Sequence, residues 1–198
     1  MHMTKATIAG LALLGLGAWG LWRCEAGPTA LQGETMYHGT APELRVTFGY
    51  PAQWPLHEEH GKMEPYQAVR IMAPRNTDDT YTSHLSVSGA PLKSHGGKFD
   101  SAEERIDQYK RHLLPDAQII AETQGEVGGL KAIELIVSYT LPAVHHKGLK
   151  AAPVPVKERK VAIAHGPYLY ELTYVADSRE YDRYADTFER LLQSFQVQ

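Results

Sequence analysis

The tightest constraint on this chain is the segment Leu130 to Tyr139, which reads Leu-Lys-Ala-Ile-Glu-Leu-Ile-Val-Ser-Tyr and is apolar at both odd and even positions. Alternate side chains of an extended strand leave opposite faces, so a run apolar on both faces needs a covering layer on each side. Such a strand is central. Gln118 to Thr123 precedes it, and Gly125, Gly128 and Gly129 lie between the two, the signature of a hairpin.

The remaining pattern supplies both the sheet and its cover. Leu44, Val46, Phe48 and Tyr50 alternate with Arg45, Thr47 and Gly49 until Pro51 ends the run, which predicts a half-buried strand. Tyr66 to Met72 presents Val69 and Ile71 on one face, and Ser83 to Ser88 presents Leu85 and Val87. Ser101-Ala102-Glu103-Glu104 is a capping-box pattern. Ala102, Ile106, Tyr109 and Leu113 follow it at helical spacing, and Pro115 stops the helix. Lys157 to His165 and Tyr168 to Val175 form a second hairpin through Gly166-Pro167. Asp177 to Glu180 then offers a cap, and Tyr181, Tyr184, Phe188, Leu191, Leu192 and Phe195 mark one face of a final amphipathic helix. The order is three strands, a helix, four strands and a helix. That is an α+β class with a mostly antiparallel sheet flanked by helices.

Upstream of this body, Ala6 to Trp22 is a seventeen-residue run without a charge, preceded by Lys5 and followed by Arg23. At 1.5 Å per residue it spans roughly 25 Å as a helix, close to a hydrocarbon core of about 30 Å. Residues 1–26 therefore read as a signal peptide or a signal anchor with a single transmembrane helix, and 27–42 as a tether to a domain over 43–198. Cys24-Glu25-Ala26 before Gly27 loosely suits cleavage, while Trp19 and Trp22 at the interface suit retention. The bulky Leu21-Trp22-Arg23 disfavours lipidation of Cys24. Cys24 is the only cysteine, which excludes an internal disulfide, a thiolate metal cluster and a cysteine nucleophile in the exported domain. Twenty basic against twenty-three acidic side chains give a net −3, so no global field attracts nucleic acid.

Two stretches carry a family resemblance. Phe48-Gly49-Tyr50-Pro51-Ala52-Gln53-Trp54 opens the domain, and Tyr168-Leu169-Tyr170-Glu171-Leu172-Thr173-Tyr174 runs through Tyr181 and Phe188 to Ser194-Phe195. Over about residues 43–198 the chain resembles the PsbP-like family and the bacterial DcrB-type proteins that share its fold. The resemblance implies an α/β/α sandwich around a central antiparallel sheet. It also implies a non-enzymatic role, since family members are mostly extrinsic subunits or assembly factors of membrane complexes. It transfers no binding residue, because Trp54, Tyr174, Phe188 and Phe195 are core aromatics.

Among chemistry-bearing residues, His57-Glu58-Glu59-His60 is the densest ligand cluster. On a helical turn or loop the two imidazoles could share a divalent metal ion, with His95, His145 or His146 as a third ligand. Gly61 breaks the His-Glu-x-x-His spacing of a zinc hydrolase, and the alternative is a solvated acidic loop. Leu141 to Lys160 reads as a long loop in which His145, His146, Lys147, Lys150, Lys157, Arg159 and Lys160 face only Glu158. Long loops on rigid scaffolds are often binding elements. Its charge would dock an acidic partner or anionic headgroups, the alternative again being a solvated loop. Glu134 and Glu171 lie within strands, at an edge or facing solvent, the alternative being burial with raised pKa values. No Gly-x-Ser-x-Gly elbow, phosphate loop or paired carboxylates appear, so no enzyme and no cofactor are expected. The expected function is a non-enzymatic extracytoplasmic accessory or assembly protein, tethered or secreted, that binds an envelope protein or membrane complex. A metal or small-ligand binder using His57 and His60 is the alternative, and a small hydrolase a third.

Overall fold

The computed structural model describes residues 33–61, 66–142 and 152–198. The expected hydrophobic helix, the first residues of the tether, and His145, His146, Lys147 and Lys150 lie outside the described residues. Among the described residues no helix is long and apolar enough to cross a membrane. The elements are β1 (Glu34–His38), β2 (Val46–Pro51), β3 (Leu56–His60), β4 (Gln67–Arg75), β5 (Thr82–Pro91), α1 (Ala102–Arg111), β6 (Gln118–Val127), β7 (Leu130–Leu141), β8 (Val154–His165), β9 (Tyr168–Asp177), α2 (Asp182–Ser194) and β10 (Gln196–Val197).

Seven strands form one sheet in the order β3-β4-β5-β9-β8-β7-β6, and every neighbouring pair is antiparallel. The class is α+β, as the pattern predicts. β7 is one strand in from the edge rather than central, yet both its faces are covered. Ile133, Leu135 and Val137 pack against Ala102 and Ile106 of α1, and Ala132 joins the cluster under α2. The middle position belongs to β9, whose Tyr170, Leu172 and Tyr174 meet Phe188 and Leu191 of α2. Phe188 is fully buried with its ring 5.9 Å from that of Tyr174. Truncating such an aromatic to alanine typically costs about 3–5 kcal/mol.

α1 starts where the capping pattern puts it. Ser101 Oγ accepts from the Glu104 N–H at 3.2 Å, and Glu104 Oε2 accepts from the Asp100 N–H at 2.6 Å. The expected cap before α2 is instead a turn. Asp177 is fully buried and accepts from the Arg179 N–H at 3.0 Å and from Asn76 Nδ2 at 2.8 Å.

Three strands are additions to the expected order. β1 lies inside the predicted tether and pairs with β2, and β10 pairs with β2 on the other side. Little in Glu34–His38 signals a strand, because its support comes from distant residues: Tyr37 stacks on Phe48 at 5.0 Å and Glu34 accepts from Arg190 Nε at 2.6 Å. β3 replaces the predicted acidic loop, since its backbone pairs with β4 while four of its five side chains remain exposed. β8 begins at Val154, so Arg159 and Lys160 are sheet residues and not part of a loop.

The two motif stretches touch. The Gly49 N–H donates to Ser194 Oγ at 2.9 Å, and that hydroxyl donates to the Arg190 carbonyl at 2.8 Å. Trp54 meets Tyr184 edge-on at 5.0 Å. A close approach also fixes Gly89 in β5, where a Cβ would stand 1.8 Å from the Glu43 carbonyl oxygen, whereas one at Gly125 would meet nothing within 4 Å. Gly89→Ala should therefore lower unfolding free energy by more than about 2 kcal/mol in urea titration, because backbone has to shift. Gly125→Ala should stay within about 0.5 kcal/mol of wild type.

Candidate functional site

Strand alternation sends Leu169, Glu171, Thr173 and Val175 of β9 to the face opposite α2, together with Glu158 and Lys160 of β8 and Ser86 and Ser88 of β5. α1 covers the β7–β8 part of this face and brings Arg105, Gln108 and Tyr109 to it. The result is a connected polar network against the sheet.

Glu171 is its hub. Its Oε1 accepts from Arg105 Nε at 2.8 Å and its Oε2 from Lys160 Nζ at 3.1 Å. Lys160 also donates to Thr173 Oγ1 at 3.2 Å, stands 3.6 Å from Glu158 Oε1, and lies 4.8 Å from the centre of the Tyr109 ring. Glu158 Oε2 accepts from the hydroxyls of Tyr109 at 2.7 Å and Tyr139 at 2.9 Å. Charges removed from water survive only when paired and hydrogen-bonded, and here each is.

The electrostatics follow from burial and partners. Burial pushes the Glu171 pKa up, but the Lys160 and Arg105 charges and their hydrogen bonds outweigh it and hold the carboxyl below its ordinary 4.5. Burial, then the charge and hydrogen bond of Glu158, drive Tyr109 and Tyr139 far above the tyrosine value of 10.0, so both hydroxyls remain donors. Burial and the Arg70 charge depress His84 below 6.5, leaving that imidazole neutral at pH 7. Beside the network is a cavity of about 380 Å³, bordered by Tyr66, Ser88, Phe99, Arg105, Gln108 and Glu171 among others.

The residues singled out from sequence are dispersed. His57 and His60 sit three apart on β3, so their side chains leave opposite faces of the strand and cannot close on one ion. Among the described residues no three His, Cys, Asp or Glu side chains gather as metal ligands. Arg159 and Lys160, neighbours in β8, also point to opposite faces. On the α2 face Arg159 Nη2 bonds Glu134 Oε2 at 2.7 Å, its Nη1 bonds Glu189, and the guanidinium lies over the Phe188 ring at 5.3 Å. Its charge is spent internally, as is that of Lys160, so neither extends a cationic docking loop. Glu134 and Glu171 are not solvent-facing, their side chains being 24% and 16% exposed. Sequence reasoning gave Arg105, Glu158 and Tyr139 no site role, since nothing local distinguishes them; for Glu158 the signal is a charge at a strand position whose neighbours face the core.

Linkage gives the network a pH signature. A carboxyl held below 4.5 contributes stability that is complete above that value and is lost as pH falls through its folded pKa. Glu171→Gln should cost about 3 kcal/mol at pH 7 by stranding two cations. Between about pH 5 and 3 its stability should then decline less steeply than that of the wild type, measured by urea titration at each pH. Parallel declines would remove Glu171 as the hub.

A second feature lies at the other end of the sheet. A β-bulge between Ile119 and Ala121 turns β6 so that Ile119 and Ile120 are both about half exposed, at 49% and 53%. Leu114, five residues before Ile119, is 41% exposed. β6 is an edge strand, pairing only with β7 among the described strands.

No protein-family model matches this chain, and no curated protein does. Solved structures do. The solution structure of CyanoP, the cyanobacterial PsbP of Synechocystis sp. PCC 6803, superposes with a TM-score of 0.52 at 16% identity, covering 92% of this chain and 99% of that one. A Bacteroides thetaiotaomicron crystal structure gives a TM-score of 0.51 at 12% identity over 85% of this chain and 49% of the other. LpqN of Mycobacterium tuberculosis, described as involved in cell envelope biogenesis, gives 0.49 at 20% identity over 82% and 89%. With helices on both faces of an antiparallel sheet and near-complete coverage of CyanoP, the chain has the PsbP-like fold.

Proposed function

We propose that this protein is a non-enzymatic accessory or assembly factor of the cell envelope, exported and held by or released from residues 1–26, that works by docking to a partner protein. One observation carries the proposal: two adjacent isoleucines are exposed on the free edge strand, next to backbone groups no described strand pairs. Large apolar side chains beside an open edge are the substrate of strand addition, in which a partner's extended segment bonds the edge and seats its side chains on the patch. Thr140 and Asp116, joined by a hydrogen bond of 2.9 Å, tie the end of β7 to this corner.

Charge supports a particular kind of partner. The connection between β7 and β8 leaves and re-enters the sheet at this end, through Pro142 and Ala152. Its sequence carries His145, His146, Lys147 and Lys150 and no acid. An apolar strand flanked by acidic residues, belonging to an envelope or membrane protein, is complementary to both features. The network under α1 suits binding rather than turnover, because Glu171 is clamped by two cations and Glu158 by two hydroxyls. Buried charges paired in this way hold structure.

The test is tagged purification from gently solubilised membranes, with mass spectrometry of what accompanies the chain. Ile119→Ser/Ile120→Ser should leave the melting temperature nearly unchanged, since both side chains are half exposed, and should reduce a stoichiometric companion by about tenfold or more. A companion retained in full by the double variant, or a wild-type chain that elutes alone, would overturn the proposal.

A further inference from the structure

The cavity beside α1 is a second and separate feature. Its floor is Ser88 and Ala90 of β5 with Leu169 and Glu171 of β9, and its wall is the 96–99 segment with Arg105 and Gln108. At about 380 Å³ it falls within the range of small-molecule sites. The wall is built into the fold. Lys93 N–H donates to the Phe99 carbonyl at 2.8 Å, Gly97 N–H to the Leu92 carbonyl at 3.0 Å, and Leu92 N–H to the Pro167 carbonyl at 2.8 Å. A Cβ at Gly97 would stand 1.6 Å from the Pro91 carbonyl oxygen, so the wall lies directly on the sheet.

Arg105 is the group that would read a ligand. Glu171 takes its Nε–H at 2.8 Å, Gln108 sits 3.5 Å from Nη1, and the guanidinium lies over the rings of Phe99 at 5.3 Å and Tyr109 at 5.8 Å. A guanidinium carries five donors in one plane. These contacts fix that plane through the Nε side and leave the Nη side, the one that grips a carboxylate with two parallel bonds, with only the long Gln108 contact among the described partners. Phe99, Leu169 and Pro91 supply an apolar surface alongside. The geometry points to a site for a small organic carboxylate, its head on Arg105 and its apolar body along Phe99 and Leu169.

This site is distinct from the proposed docking edge. Glu171 is aligned across the sheet with Ser88, whereas Ile119 is aligned with Val137, Glu158 and Val175, four residues along β9 and roughly 13 Å away, on a strand three positions over. Isothermal titration of the full chain in detergent with indole-3-acetate, indole-3-acetamide and inorganic phosphate tests it. The acid should bind at least about tenfold tighter than either the neutral amide or phosphate. Arg105→Lys, which keeps a cation for Glu171 but removes the fork, should bring the acid close to the amide, and Ser88→Phe should abolish both by filling the floor. Variants are compared only where circular dichroism and melting show the wild-type fold. Equal binding of acid and amide, equal binding of phosphate, affinity undiminished in Arg105→Lys, or no binding by folded wild type would each overturn the assignment. Companion recovery with the Ile119→Ser/Ile120→Ser chain is read separately, so either proposal can fail without the other.

Discussion

A seven-stranded antiparallel sheet has two faces to cover, and this molecule covers them unequally. α2 and the small β1-β2-β10 sheet close one face with a continuous apolar cluster running from Leu44 and Phe48 through Tyr174 to Phe195. Among the described residues the other face is covered by one helix, α1, ten residues long and laid over β7 and β8, with the 92–99 segment beside it. Ten residues span about 15 Å, and strands stand about 4.8 Å apart, so one such helix shields three or four strands at most. Everything distinctive about the second face follows from that shortage of cover.

Where α1 ends its coverage, the sheet changes from apolar to polar within single strands. β9 places Leu169 under the helix side and then Glu171 and Thr173, while β8 places Ala162 and then Lys160 and Glu158. A half-covered position is too dry for isolated charges and too open for a purely apolar patch. The sequence meets this with alternating acid and base, which neutralise one another across the strands, and with two tyrosines that roof the pair while giving their hydroxyls to Glu158. Arg159 solves the same problem on the α2 face with Glu134 and Glu189. Adjacent cations in one strand thus serve two separate networks. Breaking either network leaves a largely buried charge unpaired, a costlier loss than that of an exposed ion pair.

The uncovered margins are where interaction becomes possible. Over β5 and β9 the 96–99 segment and α1 border a cavity with a held guanidinium. At the β6 edge the bulge re-aims Ile119 and Ile120 outward on a strand whose outer side no described strand pairs. Charge is the usual protection of an open edge, and β6 carries Glu122 and Glu126 further along but none at the bulge.

How much of this was legible in the chain depends on the range of the interactions concerned. Alternation and helical spacing are local, and they sufficed for the α+β class, for β2 and β4 to β9, for both helices, and for the Ser101 cap that hydrogen bonds confirm. The motif stretches around Trp54 and Ser194-Phe195 pointed to the fold because their side chains fill one core, although their contact through Gly49 crosses most of the chain. β1, β3 and β10 were invisible because their stability lies in backbone pairing with β2 and β4. His57 and His60 form a ligand pair only on a helical turn or loop, and extended backbone sets them apart. Lys160 looked like a loop cation until pairing with β7 and β9 placed it on Glu171. Sequence by itself determined which residues avoid water and at what period, because that is a property of side chains and their spacing. Tertiary structure decided which charges meet, which edge stays open and where a cavity remains, because those depend on strands brought together from distant parts of the chain.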